Sequence, residues 1–147
     1  MKIMDLQKTN TYTIEPYTGI GPVRLGMTMA EVRNALNETP IPFFKSPNSE
    51  LATDDFRKAG MHVFYKTPGV CKAVECFDPE ANPILFDKRI FGRPYTEVLD
   101  WLKQLDPSLL IQSDGCTSFE LGIGLYVPVE SIESMIVFER DYYKGIL

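Results

Sequence analysis

Apolar and polar residues alternate along four segments of the chain, as expected for strands with one buried face. The first two segments, 61–66 and 70–77, are separated by a Thr-Pro-Gly turn. The other two, 122–127 and 132–139, lie on either side of a proline. Since alternating runs joined by turn residues are typical of β-hairpins, the pattern predicts two hairpins.

Each predicted hairpin follows a segment whose apolar residues recur at helical spacing. The first helix begins with a capping box, in which the Thr28 hydroxyl accepts one backbone N–H and the Glu31 carboxylate accepts another. Pro94 precedes the second helix, and its fixed φ suits a helix start. The apolar stripes consist of Met29, Val32 and Leu36 in the first helix and Val98, Trp101, Leu102 and Leu105 in the second.

The two halves of the chain share one sequence register. The matching positions are Gly26, Glu31, Val32 and Leu36 and, 66 residues later, Gly92, Glu97, Val98 and Leu102. The sequence therefore predicts an α+β fold in which two helix-plus-β-hairpin repeats, about 14–78 and 83–140, form one antiparallel sheet with the helices on one face. Because repeats of this size cannot bury a core alone, we expect residues 1–147 to form a single domain.

Composition and charge narrow the classes of partner. Hydrophobic residues make up 44% and charged residues 24% of the chain, as in ordinary globular proteins. The last 44 residues carry two basic and seven acidic residues, which accounts for the whole net charge of −5. An acidic chain disfavours nucleic acid and anionic membranes as partners, since both reward basic patches. A basic protein partner fits better, because complementary fields speed encounter.

The N-terminal sequence and the cysteine count predict a cytoplasmic location. Residues 1–8 contain neither the apolar region nor the small-residue cleavage site of a signal peptide. No apolar run approaches the roughly 20 residues of a membrane-spanning helix. Three cysteines, an odd number, fit reduced thiols better than a disulfide framework.

The pattern Gly-x-[Ser/Thr]-x-x-Glu-Val before a helix and hairpin resembles the repeat of the β-lactamase inhibitor protein family. It is also similar to the small lipoprotein of the bacterial β-barrel assembly machinery. Gly26, Thr28 and Glu31 carry the match in the first copy, whereas Pro94 replaces the hydroxyl residue in the second. The resemblance spans residues 14–140 and implies a non-enzymatic fold that binds other proteins, the inhibitors through a concave, aromatic-rich sheet. For a cytosolic relative it implies a cytosolic partner, as for an immunity protein that neutralises a toxin.

The sequence contains no motif typical of a catalytic, cofactor-binding or metal-binding site. The one glycine-rich segment lacks the third glycine of a dinucleotide fingerprint and the Lys-Ser/Thr of a phosphate loop. His62 is the only histidine, and Cys71 and Cys76 are expected to point to opposite faces of one strand, which makes a zinc site improbable. The acidic pair Asp54-Asp55 is interpreted as a turn or helix start. We therefore predict no catalytic residue, cofactor or metal.

The alternation also predicts which residues meet a partner. One parity is mostly aliphatic and suits packing against the helices: Val63, Tyr65, Val74, Cys76, Leu125, Val127, Met135 and Val137. The other parity mixes aromatic and charged groups, the composition of protein–protein hot spots. With the adjacent acidic and tyrosine positions, it yields as candidate partner-binding residues His62, Phe64, Lys66, Glu75, Phe77, Glu120, Tyr126, Phe138, Arg140, Asp141 and Tyr142. The alternative is that these aromatic residues fill a second core.

Together these patterns favour a non-catalytic protein-binding module. The leading hypothesis is an inhibitor or immunity protein that blocks the active site of a basic, nuclease-type toxin with its sheet face. Two alternatives stay open: a small-molecule-binding or enzymatic domain with an unrecognised pocket, and a structural subunit of a cytosolic assembly. A pocket would need polar groups that converge in a cavity, and the sequence shows no such convergence.

Overall fold

Two β-sheets and two helices make up the part of the protein that the structure, a computed structural model, describes: residues 9–143. The N-terminal segment 1–8, on which the predicted location depends, lies outside these residues. The helices are α1 (Met29–Leu36) and α2 (Tyr95–Leu105). The strands are β1 (Asn10–Glu15), β2 (Gly19–Ile20), β3 (Val23–Arg24), β4 (Ile41–Phe43), β5 (Thr53–Phe56), β6 (Met61–Lys66), β7 (Val70–Phe77), β8 (Ala81–Leu85), β9 (Lys88–Arg89), β10 (Leu110–Gln112), β11 (Gly115–Ser118), β12 (Ile123–Tyr126) and β13 (Ser134–Phe138).

The larger sheet has eight antiparallel strands in the order β10-β11-β12-β13-β7-β6-β5-β4. It joins two four-stranded meanders, one from each half of the chain, where β13 pairs with β7 and Val137 lies opposite Val74. The predicted hairpins are confirmed as β6–β7 and β12–β13. Each half adds two strands to its hairpin, because β4–β5 and β10–β11 extend the sheet outwards.

The prediction of a single sheet is wrong. A second, five-stranded sheet has the order β3-β2-β1-β8-β9, and β1 pairs with β8 in parallel. Three of its strands, β2, β3 and β9, have two residues each, which is too few to show alternation. The strand β8 contains Pro83, a residue that argues against a strand. The β1–β8 pairing joins residues 71 positions apart, such as Tyr12 and Pro83, so no local pattern specifies it.

Both helices lie on the core side of the larger sheet, as predicted. The capping box of α1 is present, with Thr28 and Glu31 each accepting the expected backbone N–H. Val32 of α1 and Leu102 of α2 are buried in the same cluster as the aliphatic parity of the sheet. The five-stranded sheet contributes Ile14 to this cluster. The architecture is therefore α+β, with one main core between the larger sheet and the remaining elements.

A β-bulge changes the predicted orientation of the cysteines. Phe64 lies opposite Ala73 and Tyr65 opposite Cys71, so Lys72 is an extra residue on β7. The bulge turns Cys71 to the same side as Cys76, and both thiols are buried in the main core. The prediction that they point to opposite faces is wrong, because simple alternation does not hold across a bulge.

The buried thiols predict a loss of stability at alkaline pH. Burial raises the pKa of Cys71 from 9.0 to about 12 and also raises the pKa of Cys76 and of Cys116. Because the folded state holds the Cys71 proton more tightly than the unfolded state, its stabilisation is complete below about pH 9 and is lost as the pH rises towards 12. Ionisation of Cys71 alone should lower the free energy of unfolding by about 1.4 kcal/mol per pH unit in this window.

Urea unfolding followed by circular dichroism from neutral pH into this alkaline window measures the slope. A Cys71→Ala variant serves as the matched control, because its free energy of unfolding should fall less steeply with pH than that of the wild type. A free energy of unfolding that stays constant through the window would contradict the burial of these groups.

Candidate functional site

A row of paired residues crosses the larger sheet on the side opposite the helices. Asp55 pairs with His62 and His62 with Glu75, and Glu75 in turn pairs with Ile136. The Nε2 atom of His62 lies 3.5 Å from Oδ1 of Asp55. The Ser134 hydroxyl donates a 2.5 Å hydrogen bond to Oε2 of Glu75. This row therefore holds two carboxylates on fixed strands at the centre of the sheet.

Aromatic rings lie beside this row. The His62 ring centroid is 4.5 Å from that of Phe77 and 5.1 Å from that of Phe43. Ser134 pairs with Phe77 on one side and with Tyr126 on the other. Tyr126 is 44% exposed, so the ring is available to a partner. We call this surface the open face, and it consists of Phe43, Asp55, His62, Glu75, Phe77, Tyr126 and Ile136.

Four of the predicted partner-binding residues lie together on the open face: His62, Glu75, Phe77 and Tyr126. Two others, Phe64 and Phe138, do not, and for them the surface prediction is corrected. Both are buried with Ala73 in a second small core on this side of the sheet. The rings that pack around Phe138 belong to Tyr17, Phe119, Tyr142 and Tyr143.

The second core forms because the segments that carry Tyr17, Phe119 and Tyr142 pack over the end of the sheet that contains Phe138. The Tyr142 ring stacks on Phe138 at 5.8 Å, and burial, with smaller effects from Tyr143 and Glu75, raises the pKa of Tyr142 to about 12. The hydroxyl of Tyr17 donates to the carbonyl of Phe119. The alternative of a second core is thus correct for this end of the sheet.

The other predicted residues surround the second core rather than join the open face. Lys66, Glu120, Arg140 and Asp141 are exposed, whereas Tyr142 is half-buried and belongs to the second core, where its ring stacks on Phe138. The ammonium of Lys66 lies 2.6 Å from a carboxylate oxygen of Glu139. The guanidinium of Arg140 lies 4.0 Å above the centroid of the Tyr17 ring. The four charged residues form a separate rim at the end of the sheet, and the prediction of Tyr142 as a surface residue is corrected.

Sequence reasoning misses three members of the open face. Phe43 lies on β4, within a proline-rich segment that is typical of a loop. Asp55 lies on β5, where two adjacent aspartates are typical of a turn. The interpretation of Asp54-Asp55 as a turn or helix start is wrong, since both lie within β5. Ile136 shares the parity of Phe138 in a predicted strand, so the alternation of that strand could have identified it.

Asp54, the neighbour of Asp55, points to the core side and holds the strand in place. Its side chain is fully buried and accepts hydrogen bonds of 3.0 Å from both Nε and Nη2 of Arg33. It also accepts a 2.9 Å bond from the buried hydroxyl of Tyr65. These bonds tie α1 to β5 and β6, the strands that carry Asp55 and His62 on the opposite face.

A groove with a volume of about 870 Å³ adjoins the second core under the loop between β4 and β5. Three lysines line it, Lys45, Lys66 and Lys72, together with hydroxyl groups of the loop. The Lys45 ammonium lies 4.6 Å above the Phe64 ring and that of Lys72 lies 5.6 Å above the Tyr142 ring. Glu50 also lines the groove, and Lys66 is paired with Glu139, so Lys45 and Lys72 are its lysines without a carboxylate partner in the described residues.

Within residues 9–143, no three His, Cys, Asp or Glu side chains come together in a way that could hold a metal ion. Neither helix of this part of the chain is long and apolar enough to cross a bilayer. No protein-family model, curated protein or solved structure matches the chain significantly. The resemblance to inhibitor repeats therefore stays a prediction.

Proposed function

We propose that this protein is a non-catalytic protein-binding module in the cytoplasm. Its partner would be a basic protein of the toxin type, and the open face would inhibit it by covering its active site. The observation that supports this proposal is the grouping of partly exposed aromatic rings with two carboxylates on adjacent strands of one sheet.

Physical properties of the open face suit this role. Hot spots are enriched in aromatic residues and are surrounded by contacts that exclude water from them. Because Phe77 and Tyr126 project from paired central strands, binding would order few additional backbone groups. Asp55 and Glu75 would attract a basic cleft and set its orientation, which speeds association.

Removing either ring should weaken the complex without unfolding the protein. Phe77→Ala and Tyr126→Ala are each expected to cost more than about 1 kcal/mol, or about fivefold in Kd. The matched control is Phe86→Ala, which removes an exposed ring from the turn of the smaller sheet. The partner is first captured from native lysate at low and moderate salt, and its affinity for each variant is then measured by calorimetry.

Capture of a basic protein that weakens with salt, with both open-face variants impaired and Phe86→Ala unchanged, supports the proposal. Equal binding by all three variants would exclude the open face as the interface. Loss of the folded spectrum in Phe77→Ala or Tyr126→Ala would instead place that ring in the core.

The groove beside the second core favours a second candidate function, the binding of a small anionic molecule. Lys45, Lys72 and several hydroxyl groups line it, beside Glu50 and the Lys66–Glu139 pair, and such donors can bind carboxylate or phosphate groups. Thermal shifts with a panel of small phosphates and carboxylates test it. A stabilisation that disappears in Lys72→Ala and persists in Phe77→Ala would favour the groove over the open face.

A further inference from the structure

A small cavity with a volume of about 250 Å³ lies at one end of the open face. The turns between β5 and β6 and between β7 and β8 lie at this end of the sheet. Asp55 and His62 line the cavity from the adjacent strands β5 and β6, Phe77 lines it from β7, and Glu80 lines it from the second turn. We call this cavity the end pocket. It brings carboxylates and aromatic rings together around one space.

Two rings form part of the wall of the end pocket. The ring centroids of Phe77 and His62 lie 4.5 Å apart, and the ring planes are tilted by 58° to each other. Both side chains are partly exposed. The face of an aromatic ring carries a negative potential and attracts a cation that comes to lie over it. A planar guanidinium suits such a face better than a compact, strongly hydrated ammonium.

Negative charge is concentrated at the same place. The Asp55 side chain is 22% exposed, and its Oδ1 atom lies 3.5 Å from Nε2 of His62. The stem of Glu80 packs closely on Gly60, where an added Cβ would lie 2.7 Å from that of Glu80. Burial, followed by the charge of Glu80, raises the pKa of Asp78 in the same turn. A cation bound at this end would therefore relieve repulsion between carboxylates.

One cation of the chain itself already touches the end pocket. The Nε atom of Arg57 lies 3.3 Å from Oδ2 of Asp55, and the Arg57 side chain is 72% exposed. An ion pair at this exposure contributes little stability, so another guanidinium can replace it. Arg57 thus shows that Asp55 accepts a guanidinium, while the cavity beside Phe77 stays open.

We propose that the end pocket receives an arginine side chain of the basic partner. The inference rests on the proposed function of the open face, because it names the group that anchors that partner. The guanidinium lies over the Phe77 ring, donates hydrogen bonds to the carboxylates of Asp55 and Glu80, and displaces Arg57. Arginine is the side chain that combines stacking on a ring with paired hydrogen bonds to carboxylates. The partner is thus a protein with an exposed arginine at its basic cleft.

Ethylguanidinium, which reproduces the end of an arginine side chain, is the probe for this site. The full chain is titrated with it at neutral pH and constant ionic strength. His62 is the only histidine of the sequence, so its imidazole signals in the NMR spectrum report on this pocket. Below about 50 mM the probe changes the free energy of unfolding only slightly. We expect a saturable shift of these signals, and none with the neutral isostere N-ethylurea.

Three variants separate binding in the end pocket from non-specific attraction. Glu80→Gln and Phe77→Leu should each weaken the binding of the probe about threefold, as expected for one exposed ion pair or cation–π contact. Arg57→Gln should tighten it about twofold, because it removes the competing guanidinium. The matched control is Glu120→Gln, which removes the same charge from an exposed position outside the pocket and should leave the affinity unchanged.

A shift that does not saturate, or an equal shift with N-ethylurea, would overturn the proposal. It would also be overturned if Glu80→Gln and Phe77→Leu bound the probe like Glu120→Gln, or if Arg57→Gln bound it more weakly. This assay needs no partner protein, so its failure is distinct from failure of the proposed function. A captured basic protein that loses affinity in Phe77→Ala, with no binding of ethylguanidinium, would keep the open face as the interface and exclude the arginine anchor.

Discussion

Replacing Phe138 by alanine is expected to lower the free energy of unfolding by about 4 kcal/mol. The side chain is 0% exposed, and the Tyr143 ring packs edge-on against it at 5.0 Å. Tyr142 stacks on it, and Tyr17 and Phe119 close the remaining sides. Truncation would leave a cavity that these large rings cannot fill without leaving their preferred positions.

Urea denaturation of Phe138→Ala and of the exposed control Phe86→Ala measures this effect. The control should change stability by less than about 0.5 kcal/mol. The opposite result, a stable Phe138→Ala variant with impaired partner binding, would restore Phe138 to the binding surface that the strand parity predicts.

Replacing Asp54 by alanine is expected to cost about 3 kcal/mol of stability. The substitution removes the acceptor of three hydrogen bonds, two from Arg33 and one from Tyr65. The Tyr65 hydroxyl is buried and loses its partner, which carries the full desolvation penalty. Arg33 is 44% exposed and can regain water, so the loss falls at the lower end of the range for broken buried pairs.

Asp55→Ala is the matched control, because it removes the same group from the next position of the same strand. Asp55 bonds to the exposed Arg57 and faces His62, so its loss should cost less than about 1 kcal/mol. A double-mutant cycle with Arg33→Ala isolates the energy of the pair. Equal destabilisation by Asp54→Ala and Asp55→Ala would show that the buried Asp54–Arg33 pair contributes no more stability than the contacts of Asp55.

Four of the seven residues of the open face could be predicted from the sequence. His62, Glu75, Phe77 and Tyr126 lie where the alternation of their strands holds, on the C-terminal side of the bulge in β7, and side chains of one parity then share a face. The place of Asp55 on the open face could not be predicted, because aspartate is depleted in strands. The strand β5 is specified by its pairing with β4 and β6 rather than by its own sequence.

The bounds of β6 and β7, the capping box of α1 and the aliphatic side of the larger sheet follow from the sequence. Each depends on residues a few positions apart, so periodicity and capping chemistry specify them locally. The parallel pairing of β1 with β8, the burial of Phe64 and Phe138 and the ion pair of Asp54 depend on segments far apart in the chain. Their contacts form only when those segments meet, because the free energy of burial comes from long-range packing that no local pattern records.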